Sequence, residues 1–153
     1  AMGTFSKGLG GFGAYVAGSA VLREYLVNRC GGVIYATALP PAVLGAMQAA
    51  LDLIPQMGAR RAHLHGLSAH LRARLLGMGL DTGGSFTQIV PLILGEEAKA
   101  LALAAALETA GFATVAIRPP TVPAGTSRLR LALCALHTQS EIDALADAIG
   151  RLL

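Results

Sequence analysis

Tryptophan is absent from the chain, aromatic residues make up only 5% of it and charged residues only 14%. A protein that reads nucleic acid by base stacking needs interleaved aromatics, and these are missing. Low charge beside 54% hydrophobic residues excludes a disordered chain and predicts a large buried interface. The longest pure apolar run, Ala100 to Leu107, is far shorter than the roughly 20 residues that span a bilayer. No basic, apolar and small-residue succession at the start reads as a secretory leader. The only cysteines, Cys30 and Cys134, have no metal-ligand spacing and read as free thiols of a cytoplasmic protein.

What charge there is sits unevenly. The formal net charge is +3, and Arg60, Arg61, Arg72 and Arg74 fall with His63, His65 and His70 in one stretch. A nucleic-acid patch and a solvated helix face are both readings of it. The second is favoured, because no binding motif accompanies the charge. His63, His65, His70 and His137 have no suitably spaced acidic partners, so no metal site is expected. Neither nucleic acid nor membrane is expected as a partner.

Glycine is abundant, and its densest use is Thr4-Phe5-Ser6-Lys7-Gly8-Leu9-Gly10-Gly11-Phe12-Gly13. Glycines strip side chains from the backbone and let a ligand approach. Hydroxyls and backbone N–H groups bond phosphate oxygens. A lysine held in a pocket attacks carbonyls. Three readings follow: a nucleotide loop, a plain glycine-rich turn with a solvated lysine, or a lysine that binds pyridoxal phosphate (PLP). The first lacks both a preceding strand and an acidic residue about 20 positions on.

The periodicity predicts the following order. Ala14–Ala17 reads as a strand, and Ser19 caps a helix to about Arg29 that Gly31-Gly32 ends. Val33–Tyr35 reads as a strand. Pro40-Pro41 opens a helix with the stripe Leu44, Met47, Leu51 and Ile54. Pro55 and Gly58 interrupt it, which places a domain boundary there. A helix from about Ala59 to Met78 carries Leu64, Leu67, Leu71, Leu75 and Met78 on one stripe. Phe86–Leu94 reads as a strand demoted by Pro91 to an edge or a bulge. A helix with Ala100, Leu103, Ala104 and Leu107 inward precedes strands at Phe112–Ile117 and Ser127–Leu136. Thr138 and Glu141 form a capping box for a last helix with the stripe Ile142, Leu145, Ala146, Ile149 and Leu152. The fold class is α/β. Residues from 56 on form a small α+β domain, its antiparallel or mixed sheet covered by helices on one face. Residues 1–55 hold too little structure for a core of their own.

Alternation sorts the last strand. Arg128, Arg130, Ala132 and Cys134 share one face, and Leu129, Leu131 and Leu133 the other. The leucine face is expected to meet the helices, leaving the guanidinium forks free to match a carboxylate.

Three stretches carry a family resemblance. Thr4–Ser19 resembles the PLP-lysine segment of the α-oxoamine synthases, members of the aspartate-aminotransferase-like (type I) PLP fold. Ile34-Tyr35-Ala36-Thr37-Ala38-Leu39-Pro40-Pro41 and Ile117–Leu131 match the same family in the same order. The last stretch is most similar to the biotin-pathway member.

The resemblance implies a PLP-dependent acyltransferase that condenses an amino acid with an acyl-CoA. It implies that this chain is the C-terminal portion of such a protein. Residues 1–55 would be the end of the large PLP-binding domain and 56–153 the small domain. By resemblance, Lys7 binds PLP and moves the proton at the substrate Cα, and Thr4 contacts the phosphate. Thr37 reaches the phosphate of the neighbouring subunit, so a homodimer with a shared site is implied; as a residue it is equally a turn hydroxyl. Arg130 holds the amino-acid carboxylate, and Arg118 takes a weaker substrate role. Arg128 is an ion-pair partner or simply exposed. Glycine-using relatives and an inactive structural or oligomerisation piece are the alternatives.

Overall fold

The computed structural model describes residues 1–153. The chain divides into two compact units, Ala1–Gly58 and Ala59–Leu153.

The first unit opens with an antiparallel hairpin of β1 (Met2–Thr4) and β2 (Ala14–Val16), in which Gly3 pairs with Tyr15. The Tyr15 ring lies over Gly3: a β-carbon there would stand 2.6 Å from its far edge, so any larger residue displaces the ring. The ring also meets Phe5, with centroids 5.3 Å apart. Helix α1 (Ala20–Arg29) starts at Ser19, whose hydroxyl accepts from the Leu22 N–H. Helix α3 (Pro41–Leu53) starts at the Pro40-Pro41 pair as expected, and a 3-10 turn (Ile54–Met57) follows it.

Two expectations for this unit are corrected. Val33–Tyr35 is not a strand: α2 (Gly31–Ile34) is a single helical turn. The Cys30 carbonyl accepts from both Val33 and Ile34, and no neighbouring strand competes for those donors. Nor does the glycine loop lack a preceding strand: β1 leads directly into it. The stripe of α3 is helical in period, as expected, and mostly uncovered. Met47 is buried, whereas Leu44 stays 50% and Leu51 42% exposed. Phe5 and Met47 are the only buried side chains of this unit, so its apolar residues do not close over a core by themselves.

The second unit has one core. A three-stranded antiparallel sheet runs in the order β3 (Ile89–Gly95), β5 (Ser127–Ala132), β4 (Val115–Ile117). Leu129, Leu131, Val90 and Leu92 form one sheet face. That face packs with Leu67, Leu71 and Leu75 of α4 (Gly58–Gly77), Leu103 and Leu107 of α5 (Glu97–Thr109), and Ile142, Ala146 and Ile149 of α6 (Gln139–Leu152). The helices therefore cover the leucine face, as alternation predicts. Pro91 lies on an edge strand, where its missing N–H costs no ladder bond. The bulge falls instead at Ile93–Gly95, where Gly95 adopts φ 79°.

The strands are shorter than read, each for a local reason. β3 begins at Ile89 because the Ser85 and Thr87 hydroxyls bond the Ile89 carbonyl and N–H. Phe112 donates to the Leu107 carbonyl and closes α5, so β4 starts three residues later. β5 stops at Ala132, and the Cys134 N–H goes to His137 Nδ1 in a turn. The expected capping box is present: Thr138 Oγ1 accepts from the Glu141 N–H, and Glu141 Oε2 accepts from the Thr138 N–H at 2.7 Å. The basic face of α4 is not simply solvated. His63 Nε2 bonds the His137 carbonyl, His70 meets Asp143, and Arg72 donates to the Thr87 carbonyl.

Candidate active site

The hairpin loop carries the lysine. Phe5 N donates to the Gly13 carbonyl at 2.9 Å, and Gly11 N to the Phe5 carbonyl at 2.8 Å. These bonds clamp the base of the loop, and the buried Phe5 ring anchors it. Gly10 N donates to the Lys7 carbonyl, so Lys7 opens a tight turn that closes on Gly10. Gly10 has φ 63°, a conformation that costs glycine nothing. Gly8 is different: its φ is not in the left-handed region, and a β-carbon there would meet nothing within 4 Å. The backbone beside the lysine is thus open to an incoming group.

Lys7 is exposed, and its amine has no partner in this chain. The Thr4 and Ser6 hydroxyls, also exposed, make no hydrogen bond within the chain. Thr37 is exposed in the segment between α2 and α3. That segment lies against the hairpin, since a β-carbon on Gly13 would stand 3.1 Å from Leu39 Cδ1. One unit therefore presents a free primary amine, hydroxyls with no partner in the chain and an uncovered glycine backbone. This donor set suits an aldehyde-bearing phosphate ligand such as PLP.

The second unit presents the arginines. On the sheet face away from the helices, Arg128 pairs with Ile93 and Ile117, and Arg130 with Pro91 and Val115. A cavity of about 360 Å³ opens over this face. Arg128 and Arg130 line it with the hydroxyl-bearing Ser85, Thr87 and Thr121 and with the apolar Ile89 and Pro91. No acidic side chain lines it. Arg128 Nε donates to the Thr126 carbonyl at 2.9 Å. Arg118 does not line this cavity: its Nη1 forms an ion pair with Glu97 Oε1 at 3.0 Å. Ser85 and Thr87 were not singled out from the sequence. The signal was there, since Ser85, Thr87, Ile89 and Pro91 continue one alternating face upstream of the strand.

Residues 1–149 match the Aminotransferase class I and II family, and the chain belongs to it. A Bordetella pertussis protein that carries the name 8-amino-7-oxononanoate synthase provisionally is 64% identical over 98% of this chain. Serine palmitoyltransferase of Sphingomonas wittichii superposes with a TM-score of 0.91 at 31% identity over 99% of the chain. A structure of SPT with a PLP internal aldimine superposes with a TM-score of 0.90 at 29% identity, again over 99% of the chain. The chain spans 38% of the length of each of these relatives. The α/β fold is that of these aminotransferase-like structures.

Proposed function

We propose that a full-length protein carrying this segment is a PLP-dependent α-oxoamine synthase. It condenses an amino acid with an acyl-CoA thioester. A carbon–carbon bond forms between the amino-acid Cα and the acyl carbonyl carbon, CoA leaves as the thiol, and the carboxylate leaves as carbon dioxide. The substrates we propose are L-alanine and pimeloyl-CoA (or its carrier-protein equivalent), giving 8-amino-7-oxononanoate for biotin synthesis. The observation that carries the reading is the free Lys7 amine at the mouth of a clamped glycine loop, within a sequence 64% identical to a protein of that provisional name.

When bound, PLP supplies an electron sink for negative charge at the substrate Cα. Lys7 Nζ would hold its aldehyde carbon, and the Thr4 hydroxyl would donate to its phosphate. Thr37 would reach the phosphate of a second copy, which makes a homodimer the working form. The Lys7 amine would also take and return the proton at Cα. The Arg130 fork grips the amino-acid carboxylate with two parallel N–H bonds and fixes which bond at Cα is broken. Arg118 takes a lesser part in binding. Residues 1–55 close the large PLP-binding domain in this reading, and 56–153 form the small domain. No helix is long and apolar enough to cross a membrane, and the cytoplasm is the proposed compartment.

Borohydride reduction of the full-length protein with PLP, followed by peptide mapping, tests the reading. The expected result is one pyridoxyl adduct, on Lys7, and none in Lys7→Ala, which also loses turnover. An adduct elsewhere, or normal turnover by Lys7→Ala, overturns it. A panel of alanine, glycine and serine against acyl-CoAs then decides the substrate pair.

A further inference from the structure

Arg130 answers for one anion, yet the open sheet face holds two guanidinium groups. Arg128 is the more deeply set: it is half-buried, whereas Arg130 is exposed. Its Nε is committed to the Thr126 carbonyl. That bond fixes the plane of the group and leaves the two terminal nitrogens, with their four N–H donors, unpartnered within the chain. Two arginines of this unit are neutralised within the chain: Arg74 by Asp143 and Asp147, and Arg118 by Glu97. Arg128 has none, and no acid lines the cavity it faces.

Two like charges side by side and partly desolvated repel each other, and counter-anions relieve this. Alternate residues on a strand are about 7 Å apart, too far for one carboxylate to bridge both forks bidentately. The Ser85, Thr87 and Thr121 hydroxyls line the same cavity and can donate to a further oxyanion.

We propose that Arg128 binds a second oxyanion, a carboxylate or phosphate carried by the acyl donor, beside the amino-acid carboxylate held by Arg130. This rests on the synthase reading and deepens it, because it makes Arg128 a residue that recognises the acyl donor by its negative charge. A free terminal carboxylate on the acyl chain and a phosphate of CoA share this chemistry.

The test is calorimetric titration of the full-length wild type, Arg128→Gln and Arg128→Lys. The probes are heptanedioate, uncharged heptanamide and adenosine 3′,5′-bisphosphate. Loss of a charge-assisted hydrogen-bond pair is expected to weaken binding about tenfold or more. A loss confined to heptanedioate identifies the carboxylate, and a loss confined to the bisphosphate identifies the phosphate. Arg128→Lys is expected to restore part of the affinity. In turnover, the matching acyl donor shows the rise in KM while the KM of the amino acid stays unchanged. Equal weakening of all probes, no weakening by Arg128→Gln, or a wild type that binds neither anion better than heptanamide overturns the proposal. The binding readout needs no turnover, so failure of the synthase reading, seen as a missing Lys7 adduct, is distinguishable. A retained Lys7 adduct in Arg128→Gln shows that the variant is folded.

Discussion

His70 Nε2 stands 2.7 Å from Asp143 Oδ1, a contact between α4 and α6 that spans 73 residues of chain. The same carboxylate oxygen accepts from Arg74, and the other terminal nitrogen of Arg74 reaches Asp147 Oδ1 at 2.6 Å. One arginine and one histidine of α4 thus hold two successive turns of α6. Each pair is about a third or more exposed to solvent, so any single bond is worth little. Their shared geometry orients the two helices over the sheet.

This network has a pH signature. The bond from His70, and then the Arg74 guanidinium, hold the Asp143 carboxyl below the usual carboxylate range. The folded value lies below the unfolded one. The group therefore contributes stability in full above the unfolded value of about 4, and loses it as pH falls through the folded value. Asp143→Asn is expected to lower the thermal midpoint of the full-length protein near pH 7. Near pH 2 the gap to wild type should close. A gap of equal size at both pH values would mean that charge has no part in it.

The capping box offers a second check. Thr138 satisfies the Glu141 N–H, and Glu141 satisfies the Thr138 N–H. Removing the hydroxyl in Thr138→Ala is expected to cost about 1 kcal/mol, while Thr138→Ser costs little. Amide hydrogen exchange in the first turn of α6 reads this directly. Equal protection in both variants would show that the tertiary contacts of α6 hold that turn without the cap.

Arg130 and Arg118 are separable by kinetics. Arg130→Ala is expected to raise the amino-acid KM about tenfold or more, by loss of a charge-assisted bond pair. An unchanged KM would remove Arg130 from the substrate site. Arg118 lies on Glu97 and outside the cavity of Arg130. A substrate role for it predicts that Arg118→Ala raises KM, whereas Glu97→Gln, which frees the guanidinium, does not. Matching small effects of both changes would leave the pair as a surface contact.

Much of the fold was legible because it follows from contacts within one turn or one strand. Ser19 and the Thr138–Glu141 box marked helix starts through bonds three residues long, and Pro41 marked one through its fixed φ at the first helical position. Alternation put Leu129 and Leu131 inside and Arg130 outside. The failures also have local causes. Val33 and Ile34 favour strands by residue type, but no strand came alongside, and the Cys30 carbonyl took their N–H groups into a helical turn. Phe86 lies outside β3 and stays 78% exposed, because the Ser85 and Thr87 side chains bond the backbone before the ladder begins. At the site, the Lys7 loop and the arginine face were readable, and alternation put Ser85 and Thr87 on one face with Ile89 and Pro91 without saying what that face meets. Their place beside Arg128 depends on β3 pairing with β5.

The sequence by itself determined the lysine loop, the helical stripes and the two-faced character of β5, since each is written in neighbouring residues at a period of two or 3.6. Only the tertiary structure decided that β5 lies between β3 and β4, that Arg74 spends its charge on Asp143 and Asp147, and that Arg118 spends its own on Glu97. It alone left Arg128 without a carboxylate. Charge and fork geometry belong to the residue; whether a counter-ion stands within reach depends on which distant segments the core draws together.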